Sequence, residues 1–234
     1  MLFKCYATGS TGNCYVLTDG DEELLLECGL AKKDLLRRNN WNIMNIVGCC
    51  VTHGHKDHSK LVNELELMGI KVMKPYLSEL PYESNVMGHF VPMAIALLNQ
   101  NREWLHTDAD GSGCPIYAYL IIYKTRRILY CTDYRAMPYT FRKNRLDTII
   151  TSCNYEDDAE YDIEAKEYHV RMGHTSLSTV KEMLKANQTD ALKNVILCHL
   201  SSSADFNRIQ REVQEVVGNN VTVNIAVTGN VIEL

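Results

Sequence analysis

One stretch constrains the chain more than any other: Thr52-His53-Gly54-His55-Lys56-Asp57-His58-Ser59. Three imidazoles and a carboxylate fall within six residues, directly after the apolar run Ile46 to Val51. That run is short, partly β-branched and carries Cys49 and Cys50, so it reads as a buried strand. Leu61, Leu65 and Met68 then recur at helical spacing, so Lys60 to Met68 reads as a helix. The histidines therefore sit on a strand-to-helix loop, where α/β folds place their chemistry. In extended backbone, residues two apart point to one side, so His53 and His55 can share one ion. Asp57 and His58 follow the turn and can face a second point a few ångströms away. Neutral imidazoles and ionised carboxylates suit zinc-like divalent ions. The chain has eight histidines in all, and packing gives no reason to gather three of them in one window.

With 234 residues the chain is long enough for one large domain with a substantial core. Its 46% hydrophobic and 23% charged content is ordinary for a globular protein. No apolar run approaches the roughly 20 residues that span a membrane. Met1 to Asn13 lacks a long apolar core, so no signal peptide is expected. The nine cysteines are odd in number, scattered and without a C-x-x-C pair. Most lie in strand-like runs, as buried free thiols would, which suggests a reducing cytoplasm. A net charge of −5 argues against a basic surface that grips long nucleic acid, though not against a local phosphate site.

Strand-like runs recur at residues 2–7, 14–18, 23–27, 46–51, 116–123, 127–131, 148–152, 194–198 and 221–227. Helix-like runs cover residues 32–38, 60–68, 177–186 and 205–217, the last with Gly218 as its C-cap. Asp19-Gly20-Asp21 reads as a hairpin turn. Early strands follow one another and later ones alternate with helices, which suggests two packed β-sheets with helices outside. Residues 76–113 read as loop-rich.

One loop cannot fill two coordination spheres. His106 precedes a glycine-rich turn and a strand. Asp133 ends the strand Ile128 to Cys131, and His199 ends the strand Val195 to Cys198. Titratable groups at the ends of apolar strands need a partner. Each has a plainer reading: a turn-initiating Asp133, a capping or core His199, a loop His106. His89 and Asp108 compete with His106 for its place.

These residues together resemble the metallo-β-lactamase-fold hydrolases. His53-x-His55-x-Asp57-His58 matches the signature of that superfamily, and His106, Asp133 and His199 follow in the order of its other ligand motifs. The opening Ala7 to Cys14 and the segment Leu25-Leu26-Glu27-Cys28-Gly29-Leu30 resemble the YycJ (WalJ) subgroup, which is linked to DNA exonuclease activity. The resemblance covers essentially the whole chain. It implies an α/β class fold, a four-layered αβ/βα sandwich, as a single domain over residues 1–234. Two departures stand out. Glu27 replaces the usual Asp behind the first-loop histidines and reaches one methylene further. Thr107 follows His106 where relatives often carry Asp.

The resemblance also implies a chemistry. His53, His55 and His106 would hold one ion. Asp57, His58 and His199 would hold the other, and Asp133 would bridge them. Zinc β-lactamases place Cys at a second-metal position, whereas phosphodiesterase members use a bridging Asp. Zinc is the expected metal, with manganese or iron as alternatives. Gly173-His174-Thr175-Ser176 resembles the Gly-His-Ser-Thr element of tRNase Z. His199-Leu200-Ser201 and Asn154-Tyr155-Glu156 resemble further family patterns. The expected reaction is attack of a metal-activated hydroxide on a phosphodiester, in a nucleic acid or a nucleotide, with Asp57 or His174 protonating the leaving oxygen. Backbone N–H groups after His199, leading into the helix near Asp205, would hold a phosphate. Ser201 and Arg135 are candidate substrate contacts, and Arg142, Lys143 and Arg145 read equally as a solvated basic turn. A lactonase, thioesterase or β-lactamase is the alternative on the same fold, and a metal-stabilised binding module is the alternative of another class. A homodimer is in keeping with the superfamily, and no membrane contact is expected.

Overall fold

The computed structural model describes residues 1–78, 81–108, 110–160 and 164–234. In chain order its elements are β1 (Leu2–Ala7), β2 (Cys14–Thr18), β3 (Glu23–Leu26), α1 (Lys32–Arg38), β4 (Ile46–Cys50), α2 (Lys56–Ser59), α3 (Val62–Leu67), β5 (Val72–Met73), β6 (Tyr82–Ser84), β7 (Phe90–Ala96), β8 (Tyr117–Tyr123), β9 (Arg126–Cys131), β10 (Thr148–Ser152), α4 (Glu164–Gly173), α5 (Leu177–Asn187), β11 (Asn194–Cys198), α6 (Phe206–Val217), β12 (Thr222–Ile225) and β13 (Val231–Glu233).

Turn chemistry sets how these pair. Asp19 Oδ1 accepts from the N–H groups of Asp21 and Glu22, and Gly20 takes a φ of 107°, so β2 and β3 close as a hairpin with Thr18 opposite Glu23. β3 and β4 are parallel, with α1 in the crossover between them. One six-stranded sheet runs β13-β1-β2-β3-β4-β5, and a seven-stranded sheet runs β12-β11-β10-β9-β8-β7-β6. In the second, β9, β10, β11 and β12 are parallel neighbours, and β6 to β9 are antiparallel.

Three apolar layers separate four layers of backbone. Phe3, Leu24, Leu26, Tyr119 and Ile150 pack between the sheets. Leu35, Val62 and Leu65 from α1 and α3 pack on the outer face of the six-stranded sheet. Val180, Leu184, Ile209 and Val213 from α5 and α6 pack on the outer face of the other. The order is the expected αβ/βα sandwich.

The structure differs from the sequence reading in three places. Residues 76–113 are loop-rich as expected, but they also carry two strands that the reading missed: β7 is a seven-residue strand paired with β8 along its whole length, and β6 pairs with it. Pro92 argues against a strand in the sequence, and because the run is apolar throughout, the alternation that exposes Val91 and Met93 does not show in it. The helix expected over Lys60 to Met68 is α3, and a further short helix that was not expected, α2, precedes it from Lys56, so Asp57 and His58 lie on a helical turn. α4, of modest apolar character, was not anticipated.

Candidate metal centre

The parallel registers explain why distant residues meet. Cys131 lies opposite Thr151, and Thr151 opposite Leu197, so β9, β10 and β11 end level with one another. Asp133, Asn154 and His199 leave these three ends within two residues of the last strand residue. Glu27, Asp133 and His199 each take a left-handed φ, of 63°, 52° and 53°. Non-glycine residues there cost about 1–3 kcal/mol each and concentrate at functional sites. The first-loop histidines come from the other sheet. Across the gap, Tyr119 Oη donates to the Val51 carbonyl at 2.8 Å, and Tyr117 N donates to the Thr52 carbonyl at 3.1 Å.

Two groups of donor atoms converge. His55 Nδ1 lies 3.1 Å from His53 Nε2 and 3.2 Å from His106 Nε2. His58 Nε2 lies 2.9 Å from Asp133 Oδ2 and 3.2 Å from Asp57 Oδ2. His199 Nε2 lies 3.4 Å from Asp57 Oδ2 and 3.5 Å from Asp133 Oδ2. The rings of His53 and His58 are 4.1 Å apart, so the groups adjoin, and Asp133 stands with His53 and His58 where they meet. A neutral imidazole has one donor and one acceptor, so three ring nitrogens turned to one point cannot satisfy each other. A shared cation satisfies all three.

The electrostatics of His53, His106, Asp133 and Asp57 agree with that donor set, whereas His58 would have to give up a proton to ligate. Burial pushes His53 well below its usual range and His106 down to about 4, which keeps both neutral. Burial alone would raise Asp133, yet His199, His174 and His58 hold it well below the carboxylate range. Asp57 is likewise held low, against burial, by hydrogen bonds from His199 and His58. Burial opposes the charge on His58, but Asp133, Asp57 and Glu27 together hold its pKa well above the ordinary value. Neutral imidazole and ionised carboxylate are the forms that ligate metal.

Of the competitors for the first group, Asp108 lies behind it: its Oδ1 is 2.5 Å from His55 Nε2, which leaves Nδ1 facing His53 and His106. His89 sits on an exposed turn against Glu22, away from the cluster. Glu27 is fully buried and accepts from Thr52 N, from Thr52 Oγ1 at 2.7 Å and from Tyr130 Oη at 3.0 Å. Thr52 Oγ1 in turn lies 3.0 Å from His53 Nδ1. Glu27 therefore reaches His53 through Thr52, and its Oε1 stands 3.6 Å from His58 Nδ1. His106 Nδ1, also buried, has no hydrogen-bond partner among the described residues.

Sequence reasoning gave no role to two asparagines. Asn13 Nδ2 lies 3.3 Å from Asp57 Oδ2 and 3.2 Å from His58 Nε2. Asn154 Nδ2 donates to Asp133 Oδ1 at 2.9 Å and lies 2.9 Å from His199 Nδ1 and 3.2 Å from His174 Nδ1, while its Oδ1 accepts from Thr175 N. Its offset was a usable signal, since Asn154 follows β10 by the two residues that separate Asp133 from β9.

His174 follows α4, and its Nδ1 lies 2.9 Å from Asp133 Oδ1. Beside it opens a cavity of about 630 Å³ whose walls include His174, His199 and Ser201. Arg135 is turned elsewhere: its guanidinium donates to the Trp104 carbonyl and approaches Met172 Sδ. Arg145 pairs with Asp190, as a solvated turn residue would. Cys131 is fully buried in the core rather than turned to the cluster. The phosphate cradle expected after His199 is occupied by protein. His199 N donates to Thr8 Oγ1, Ser201 N to the Asn154 carbonyl and Asp205 N to Glu156 Oε1, and the Asp205 carboxylate caps α6.

No protein-family model matches the chain. Over 61 residues it is 38% identical to exodeoxyribonuclease YycJ of Bacillus anthracis, a stretch that is 25% of this chain and 23% of that relative. Among solved structures it is similar to the metallo-β-lactamase fold protein YhfI of Bacillus subtilis, with a TM-score of 0.68 and 16% identity over 99% of both chains. The short form of human tRNase Z gives a TM-score of 0.61 and 15% identity over 100% of this chain and 99% of that one. The chain thus has the metallo-β-lactamase fold, with histidine and aspartate side chains at one edge of its sheets positioned to bind metal.

Proposed function

We propose that the chain is a metal-dependent phosphodiesterase or nuclease that holds two divalent ions, zinc being the best match to imidazole and carboxylate donors. One observation carries this reading: the buried Asp133 carboxylate converges with His53 of the first group and His58 of the second, with Oδ2 toward His58 and His199 and Oδ1 toward His174. His53, His55 and His106 would hold one ion, Asp57, His58 and His199 the other, and Asp133 would bridge. Such ions supply Lewis acidity toward phosphate oxygens and draw a nucleophile from water near neutral pH.

The chain's own groups then have distinct tasks. Asn154 and Asn13 orient Asp133 and Asp57. Asp57 Oδ2 is committed to Asn13, His58 and His199, so the proton for the leaving oxygen falls to His174 rather than to Asp57. His174 is oriented for this by its Nδ1 contact with Asp133 and faces the cavity. The similarity to an exodeoxyribonuclease and to tRNase Z supports a phosphodiester substrate. The burial of Cys131 argues against a thiolate-ligated, β-lactamase type of centre. Nine buried free thiols support a reducing, cytoplasmic setting, and no helix among the described residues is long and apolar enough to cross a membrane.

The test is turnover by zinc- or manganese-loaded protein of bis(4-nitrophenyl) phosphate, a thioester and a lactone, side by side. The diester is expected to turn over fastest, and Asp133→Ala to abolish that turnover together with bound metal. Faster turnover of the lactone or thioester, or an Asp133→Ala protein as active as the parent, overturns the reading.

A further inference from the structure

The cavity beside His174 and His199 is built unlike a grip for a polyanion. None of its described lining residues is Lys, Arg, Asp or Glu. Proteins that hold nucleic acid by its backbone neutralise phosphates with Lys and Arg, and this wall has none to offer. The neighbouring N-terminus of α6 is taken by the Asp205 carboxylate, which accepts from Arg208 N. What the wall presents instead is hydroxyls and apolar surface. Ser10, Thr11, Ser201 and Ser203 are exposed there. So are Phe206, with 37% of its surface open, and Val227, with 44%. A phenyl ring left that open at the first position of a helix, inside a cavity rather than on a convex face, offers a surface for a flat ligand. The volume of about 630 Å³ lies within the roughly 300–1,000 Å³ of small-ligand pockets.

We infer that this cavity is a subsite for one nucleoside unit of the substrate, with Phe206 as the stacking platform for its base and the serine and threonine hydroxyls around its sugar. The inference rests on the phosphodiesterase reading, because the unit is placed by its phosphate against the Asp133 cluster. An acyl chain or a lactone would call for a continuous apolar wall; a nucleoside calls for one aromatic face and a ring of neutral donors and acceptors. Recognition then comes from base and sugar rather than from charge. That explains how a chain of net charge −5 can take a phosphodiester without a basic surface.

The test is calorimetric titration of zinc-loaded protein with 2′-deoxyadenosine 5′- and 3′-monophosphate and with 2-deoxyribose 5-phosphate, which lacks the base. Binding needs no turnover, so failure here is separable from failure of the diester assay. The parent is expected to prefer a nucleotide over the sugar phosphate, and Phe206→Ala to cut that preference about 5- to 150-fold, the range of base–aromatic stacking. Phe206→Trp, which restores an aromatic face, is expected to keep it. Equal affinity of the parent for nucleotide and sugar phosphate overturns the subsite, as does a preference that survives in Phe206→Ala. A linear oligodeoxyadenylate titrated alongside separates a unit of a chain from a free nucleotide: comparable affinity marks the former, markedly weaker binding the latter.

Discussion

Gly29→Ala is the sharpest perturbation this fold offers, because it adds one methyl group and strikes the metal loop from behind. Gly29 is no turn glycine. It is a point where two backbones touch: Gly29 N donates to the Asn13 carbonyl at 2.8 Å, Asn13 N to the Asp57 carbonyl at 2.7 Å, and Cys28 N to the His58 carbonyl at 2.8 Å. A Cβ at Gly29 would stand 1.6 Å from the Asp57 carbonyl oxygen and 2.9 Å from Asn13 N. Ordinary contact is about 3.5–4.0 Å, so the Asp57 backbone must retreat by roughly 2 Å. Asp57 and His58 move with it. Overpacking of this kind costs about 1–3 kcal/mol. In a domain of this size each kcal/mol is worth about 2–4 °C of melting temperature. Displacement of about 1 Å at a reacting group can cost roughly 100-fold in rate. The group of Asp57, His58 and His199 should lose its ion, while that of His53, His55 and His106 keeps its own. Metal content by plasma mass spectrometry should therefore fall from about two ions to one, with a lower melting temperature and at least a hundredfold lower kcat/KM for the diester. Gly54→Ala, in the same loop, is the control. Its Cβ would meet Tyr76 at an ordinary 3.5 Å, so metal and stability should hold. A Gly29→Ala protein with the parent's metal content and melting temperature refutes the reasoning.

Three further outcomes follow from the same geometry. Asn154→Asp puts a second carboxylate 2.9 Å from Asp133 Oδ1. Like charges about 4 Å apart repel by about 4 kcal/mol near a protein surface. Urea unfolding of the metal-free protein should show a large loss that zinc partly restores; an unchanged midpoint would show that the amide is dispensable. Chelation by EDTA should lower the melting temperature relative to protein at a hundredfold excess of zinc over its Kd. Mass action gives about 2.7 kcal/mol there, or roughly 5–11 °C. Identical melting curves would mean that the cluster folds without an ion and gains nothing from one. Glu27→Gln keeps the volume of the side chain but turns an amide N–H₂ toward donors that now find an acceptor. It should cost about 1–3 kcal/mol and weaken metal binding 10- to 100-fold in competition with a chromogenic chelator.

How much of this was legible in the sequence depended on whether a residue advertises itself by type and pattern. His53 to His58 do so by density. Asp133 and His199 do so because a charged or titratable group at the end of an apolar strand is conspicuous. The strands around them followed from apolar runs, and the two-sheet order from the shift between consecutive and helix-separated strands. Asn13 and Thr52 were silent, because a single small polar residue in a loop looks the same whether it faces water or a buried carboxylate, and Asn154 showed only in its offset from the preceding strand. Their meaning lies in contacts across 44, 25 and 21 residues of chain. The cradle expected beyond His199 was wrong for the same reason: nothing local shows that Thr8, Glu156 and Asp205 already use the hydrogen-bonding groups there.

The segment Glu27-Cys28-Gly29 does mechanical work that its spelling does not announce. The candidate metal site draws His53 to His58 from the six-stranded sheet and Asp133 and His199 from the seven-stranded one, so its geometry depends on how the sheets are held to each other. Glu27 is the fully buried carboxylate that holds both: it takes Thr52 from beyond β4 and Tyr130 from β9. Its left-handed φ turns the chain out of β3 at that point, and two residues later Gly29 lets the backbone of the histidine loop come down onto it. A shorter carboxylate at position 27 would have to give up one side or the other. The extra methylene of Glu27 therefore reads as the reach needed to span two sheets, and Gly29 as the room that the loop needs to lie beside it.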